Sequence, residues 1–355
     1  MKSFYLIPEY LEDVQTISLP FDVNLFRNKT FLISGSTGMI GSYLIDYLMS
    51  LNKRYGYNVK VYAISRDREK VTNRFDGKFI DQYLFPVEQD VNISFDNQKE
   101  IPSFDYCLHL ASNTHPLQYS NDPIGTIESN VIGLKNMLDF AYEHKAKRFL
   151  FASSVEIYGQ NRGDTERFNE DYLGYINCNT LRAGYPESKR VGEALCQAYI
   201  SQKGMDIVIP RLSRVYGPTM LWSDSKAIAQ FLKNGVNKEK IVLKSAGNQL
   251  FSYTYVGDAV SALLTCLIKG GKGEAYNISD RHSEITLKDL ATLIAKTSGT
   301  EIEYALPDVT EAKGYSTATK ALLDSTKLEE IGWVAKSPIE IGISKTLHIV
   351  KELKR

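Results

Sequence analysis

The regular patterning of the chain starts at Thr30-Phe31-Leu32-Ile33-Ser34, an apolar run that stops at Gly35. A run this short, ended by glycine, reads as a strand covered on both faces. From Met39 to Leu51 the period changes. Ile40, Tyr43, Leu44, Tyr47 and Leu48 recur three and four apart, which is the stripe of a helix with one buried side. The alternation then repeats. Strands are predicted at 59–64, 106–110, 148–152 and 207–209, and helices at 124–142 and 188–201. Short, nearly continuous apolar strands between helices predict an α/β fold, a doubly wound parallel sheet with helices on both faces.

After Gly217 the pattern loosens through Trp222-Ser223-Asp224, Asn234-Gly235, Gly270-Gly271 and Gly273, before a helix over 287–297. The organisation read from this is an N-terminal extension (1–28), a first domain (29–216), and a smaller domain (217–355) made of segments that leave and rejoin the first. Composition adds exclusions. The 355 residues carry 42 basic and 42 acidic side chains, and a neutral balance argues against a surface that coats nucleic acid. Pro8, Glu9, Glu12 and Asp13 break the first segment, so it is not a secretory leader. No run approaches the roughly 18 apolar residues of a membrane span, and the protein is expected in the cytoplasm. The four cysteines form no C-x-x-C pair and the five histidines no H-E-x-x-H, so no metal site is expected.

Chemistry enters at Gly35-Ser36-Thr37-Gly38-Met39-Ile40-Gly41, a glycine triplet between the first strand and the first long helix. Glycines there let the backbone approach a pyrophosphate, and the helix start supplies free N–H groups for its charge. This context marks a dinucleotide site. The second strand ends Ser65-Arg66, where a carboxylate would select NAD by holding the ribose diol. With serine there and a guanidinium next, NADP is favoured, Arg66 pairing a 2′-phosphate. The alternative is NAD, with Asp67 on the ribose.

A second constellation follows. Tyr185 and Lys189 stand four apart on a predicted helix, one turn from each other on one face, downstream of a strand that ends Ser153-Ser154. A phenol is a poor base near its reference pKa of about 10, and a neighbouring ammonium together with a positive nicotinamide ring is expected to lower it. Tyr185 would then exchange a proton with a substrate hydroxyl during hydride transfer, with Lys189 beside it. Glu156 shares the face of Ser154 and is a further acid/base candidate.

The glycine spacing with Thr37, the Tyr-x-x-x-Lys stretch and the segments Leu110-Ala111-Ser112, Asn121-Asp122-Pro123, Asn130-Val131-Ile132-Gly133, Ser153 to Gly159, Arg182-Ala183-Gly184-Tyr185, Gly217-Pro218 and Tyr255-Val256-Gly257-Asp258 together resemble the extended short-chain dehydrogenase/reductases. The similarity is greatest to the NAD-dependent epimerase/dehydratase family, particularly its UDP-glucuronate decarboxylases. It spans about residues 30–335. It implies a Rossmann-type sheet, a nucleotide-sugar substrate, Ser154 on the reacting oxygen, and Lys189 on the nicotinamide ribose. It also implies Asp90 and Val91 near the adenine, Leu110, Ala111, Ser112 and Asn130 along the cofactor, and a homodimer built on the helices near 124–142 and 188–201. The departures are specific. Val155 replaces a polar residue, Phe251 stands where relatives carry an arginine, Lys320 stands near a second such arginine, and Arg214 replaces an asparagine near the sugar. Arg214 and Lys320 are therefore the expected substrate contacts. Three functions are weighed: an internal-redox enzyme (epimerase, dehydratase or decarboxylase), an NADPH-dependent reductase of a nucleotide-linked keto sugar such as a CDP-ketose, and a cofactor-sensing protein without chemistry.

Overall fold

The computed structural model describes residues 2–98, 100–112, 114, 121–305 and 318–354. Its centre is a parallel sheet formed by β1 (Thr30–Ser34), β2 (Lys60–Ser65), β3 (Leu84–Glu88), β4 (Tyr106–His109), β5 (Arg148–Phe151), β7 (Ile207–Leu212) and β11 (Ala275–Ile278), in the order β11-β7-β5-β4-β1-β2-β3. The short β6 (Ser153–Ser154) continues β5 and pairs with β7. The order reverses between β1 and β4, whose carboxyl ends lie side by side with Ser34 opposite His109. A crevice opens at such a switch point, and ligands of open α/β sheets bind there. The expected fold class is the one found.

Helices cover both faces. After α1 (Pro8–Gln15) come α2 (Met39–Tyr55), α3 (Arg68–Arg74), α4 (Pro123–Glu143), α5 (Gly184–Lys203), α6 (Ala227–Asn237), α7 (Val256–Lys269), α8 (Leu287–Ser298), α9 (Thr326–Glu330) and α10 (Ile339–Lys354). Their ends follow ordinary rules. Asp122 caps α4 by accepting from the Gly125 amide, with Pro123 in the first turn, and α2 ends on left-handed Gly56. A smaller mixed sheet carries β8 (Arg214–Tyr216), β10 (Leu250–Tyr255), β12 (Glu284–Thr286) and β14 (Lys320–Ala321), and β9 (Ile241–Leu243) pairs with β13 (Ile302–Tyr304). Although β11 and α7 come after Gly217, β11 forms the edge of the central sheet and α7 packs on α2 and β7.

Residues 2–28 are built into this core. Tyr10 of α1 is fully buried, and Asp13 accepts hydrogen bonds from the Tyr43 hydroxyl (2.6 Å), the Tyr255 hydroxyl (2.5 Å) and Lys345 Nζ (2.8 Å). One carboxylate thus joins α1 to α2, β10 and α10. A second, Asp46 on α2, accepts from Tyr5 (2.6 Å), from Tyr10, and from Arg74 Nη2 of α3 (2.6 Å). Buried carboxylates are tolerated only when paired in this way.

Candidate active site

The crevice is a cleft of about 1170 Å³ that runs from the β2 end of the sheet, past the glycine loop and Tyr185, to β8, β10 and the start of α6. At the loop, Gly35 takes φ +69°, and its added Cβ would stand 2.8 Å from the Ala111 amide nitrogen. At Gly41 a Cβ would lie 2.2 Å from the Gly35 carbonyl oxygen. The turn closes only with hydrogen at both positions. The N-cap of α2, Gly38, offers no side chain to the first helical amides. Gly35, Thr37, Gly38, Met39, Ile40 and Gly41 all line the cleft. Uncapped amides over a turn bare of Cβ atoms at Gly35, Gly38 and Gly41 fit a pyrophosphate.

Ser65, Arg66, Asp90, Val91, Leu110, Ala111 and Ser112 also line the cleft, and Asn130 does not. Asn130 is fully buried one layer back, accepting from Ser112 Oγ (2.8 Å) and donating to Ser188 Oγ (3.0 Å). Asp67 is engaged elsewhere. Its Oδ1 caps α3, accepting from the amides of Glu69 (2.9 Å) and Lys70 (3.2 Å). The side chains that join Arg66 at this end of the cleft are Lys70 and Arg74, neither of them singled out by the sequence reading. A cross-strand pair, Ser34 Oγ to His109 Nδ1 at 2.8 Å, was also not anticipated. Burial holds that imidazole down at about 3. It becomes visible only once the β1–β4 register is known.

The catalytic candidates converge. The start of α5 places Tyr185 and Lys189 on one buried face, 6% and 3% exposed. The Ser154 and Ser112 hydroxyls stand beside the Tyr185 phenol, close enough to favour its charged form. Lys189 Nζ donates to the Ala152 carbonyl (2.8 Å) and stands 5.9 Å from the Tyr185 ring centre. Burial drives the phenol up to about 12, with the Ser154 and Ser112 hydroxyls and the Arg182 charge pulling it down and the Glu156 charge adding. Burial also drives Lys189 down, to about 7, so this amine is only partly charged near neutrality.

Glu156 lies beyond Ser154, and its amide donates to Ser154 Oγ (3.2 Å). Its carboxylate accepts from Arg182 Nη2 (2.8 Å) and has Arg214 Nη2 3.9 Å away. Arg214 lies over the Phe251 ring, guanidinium carbon 3.4 Å from the ring centre. Lys320 is half-buried opposite Leu250 on β14 and is not among the residues lining the cleft, so the structure does not bring it to the site. The far end of the cleft is lined by Asp224, Lys226, Phe231, Leu243 and Lys244, which sequence reasoning missed because that stretch has no strict period.

A 3-2-1-4-5 parallel order, a glycine turn at its switch point and a buried Tyr-x-x-x-Lys define a Rossmann-type short-chain dehydrogenase/reductase. The NAD dependent epimerase/dehydratase family profile matches residues 31–279, and the chain belongs to that family. It is similar to UDP-glucuronic acid decarboxylase 1 of Xenopus tropicalis, 30% identical over 91% of this chain and 72% of the relative. It is also similar to UDP-glucuronic acid decarboxylase 5 of Arabidopsis thaliana, 31% identical over 89% of this chain and 87% of the relative. Among solved structures, UDP-glucose 4-epimerase of Thermotoga maritima superposes with a TM-score of 0.76 at 22% identity, covering 92% of this chain and all of that one. UDP-glucuronic acid 4-epimerase of Bacillus cereus, in complex with UDP-glucuronic acid and NAD, gives 0.77 at 20% identity, covering 91% and 99%. These last two likenesses concern the fold.

Proposed function

We propose that the chain is an NAD(P)-dependent nucleotide-sugar-modifying enzyme of the epimerase, dehydratase or decarboxylase type. The observation that carries this is the Tyr185 phenol, buried one helical turn from Lys189 and beside the Ser154 hydroxyl, in a cleft that begins at the glycine turn. The bound dinucleotide supplies hydride acceptance and return. The chain supplies the rest. Ser154 orients the sugar hydroxyl, Tyr185 takes its proton or gives it back at the phenol oxygen, and Lys189 holds the nicotinamide ribose. Glu156, fixed by Arg182, stands as a second acid/base on the sugar side. Ser112 reaches the phenol, and Asn130 orients Ser112 from behind.

NADP is the cofactor that the adenosine end favours. Asp67 is committed to capping α3, and Arg66 and Lys70 suit a 2′-phosphate. The same cation group favours the second reading, an NADPH-dependent reductase of a nucleotide-linked keto sugar. A homodimer fits the exposed Ile124, Ile127 and Ile132 of α4 and Val191 of α5. No described helix is long and apolar enough to cross a membrane, and we place the protein in the cytoplasm.

The test is a panel of UDP-, CDP-, GDP- and dTDP-sugars, each with NADH and with NADPH. Product without change in nicotinamide absorbance supports internal redox. Steady loss of the reduced-cofactor signal supports the reductase. A protein that binds dinucleotide and converts nothing is a sensor, and would overturn both catalytic readings.

A further inference from the structure

Arg214 lines the cleft beyond Glu156, and its role below rests on the nucleotide-sugar reading above. β8 and β10 pair in parallel with Arg214 opposite Tyr253. Phe251, two residues before Tyr253, therefore shows its side chain on the same face. The Arg214 side chain leans back over that ring with its guanidinium carbon 3.4 Å from the ring centre, an attractive cation–π geometry that fixes the plane of the group. The side chain is 20% exposed, lines the cleft, and donates no hydrogen bond to any described residue. Its nearest counter-charge, Glu156 Oε1, is at 3.9 Å, beyond hydrogen-bond length. That carboxylate is already engaged by Arg182 at 2.8 Å.

The charges around Glu156 do not cancel. Two guanidiniums face one carboxylate in a largely desolvated corner, and the surplus sits on Arg214, whose planar fork of donors is unspent. A guanidinium positioned this way is matched by two oxygens in a plane. Glu156 is hydrogen-bonded through its amide to Ser154, which in turn meets Tyr185. Arg214 therefore stands on the Glu156 side of the Ser154 and Tyr185 pair.

We propose that Arg214, levelled by Phe251, is the specificity-determining clamp for an oxyanion that the substrate carries next to its reacting ring. Two sources share this chemistry: a carboxylate on the sugar, or the phosphate joined to its anomeric carbon.

Calorimetric titration of the whole protein, saturated with dinucleotide, with UDP, CDP, GDP, dTDP, UDP-glucose and UDP-glucuronate separates them. Arg214→Gln is expected to weaken binding roughly 10- to 100-fold, the worth of a charge-assisted bidentate contact. Arg214→Lys restores only part of it, because a point charge lacks the fork. Phe251→Leu removes the platform and leaves the charge, and weakens binding by roughly 2- to 5-fold. Equal loss across bare nucleotides and both sugars assigns the phosphate. Loss confined to UDP-glucuronate assigns the carboxylate. If folded Arg214→Gln binds every ligand as tightly as the parent does, the clamp is refuted and the nucleotide-sugar reading stands. A parent that takes up dinucleotide but none of the six ligands refutes that reading, and the clamp with it.

Discussion

Tyr185 and Lys189 each stand well away from their solution pKa, and each shift has a consequence. Replacing Tyr185 by Phe removes the proton carrier and keeps the ring. Turnover is expected to fall by roughly 10²- to 10⁴-fold while dinucleotide affinity is kept, as read by nicotinamide fluorescence. For Lys189 the sign is fixed by linkage. Its folded value of about 7 lies below the unfolded value of about 10.5. Between those limits the unfolded chain binds more protons, so stability rises with pH. Below pH 7 the whole cost of burying the ammonium remains. The thermal midpoint of the parent, measured against Lys189→Met, should therefore climb between pH 7 and pH 10. A constant difference across that range would show that the amine is not depressed. At this scale the sequence was a good guide to residues that act through local spacing, such as the glycine turn and Tyr185-x-x-x-Lys189. It was a poor guide to residues that act through a partner far along the chain. Arg182 on Glu156, Arg74 on Asp46 and His109 on Ser34 are joined across separations of 26, 28 and 75 residues, which no period records. Asn130 lies one layer behind the cleft, and Lys320 lies on β14 outside the residues that line it.

The elements read most accurately were those buried on both sides. β1 was predicted at its exact bounds, because five apolar or small residues between a turn and a glycine leave little choice. β3, α6 and α7 were not anticipated: Pro86 interrupts β3, and α7 is apolar nearly all round, which hides its period. Residues 1–28 looked like an appendage because nothing in their pattern shows the buried carboxylates that tie them down. Asp46 is 2% exposed and pairs with Arg74, itself 13% exposed. Removing one member of such a pair leaves the other buried and uncompensated. Asp46→Asn should therefore cost about 3–5 kcal/mol in urea unfolding, far more than an exposed ion pair such as Lys135–Asp139 would. The glycine turn gives a sharper case. With the Gly35 carbonyl 2.2 Å from the position of a new Cβ, Gly41→Ala must open the turn. It should lower stability by about 1–3 kcal/mol and abolish dinucleotide binding in the same titration that leaves the parent saturated.

For the molecule as a whole, the hydrophobic side chains left outside on α4 and α5 predict a second copy. Light scattering should report a dimer, and Ile132→Glu combined with Val191→Glu should yield monomers without lowering the unfolding midpoint of the subunit core. A monomeric parent at micromolar concentration would remove that expectation. The division of labour between the two halves also follows from the way they are joined. β10 ends at Tyr255 and α7 begins at Val256, with no loop between. The far end of α7 is gripped by Arg148 of the central sheet, which donates to the carbonyls of Leu267 (3.1 Å) and Gly270 (2.8 Å). Near its start, Trp333 Nε1 donates to Ser261 Oγ (2.8 Å). Strand and helix thus form a single beam rooted in the nucleotide-binding half, and Phe251 rides on it. That beam is expected to hold still, so that any tightening around a bound molecule comes from the roof of the cleft, the stretch from Asp224 through α6 and β9. Amide exchange that slows in that roof on ligand binding, and is slow throughout β10 and α7 beforehand, would be the signature of an enzyme that closes downward onto a fixed bed.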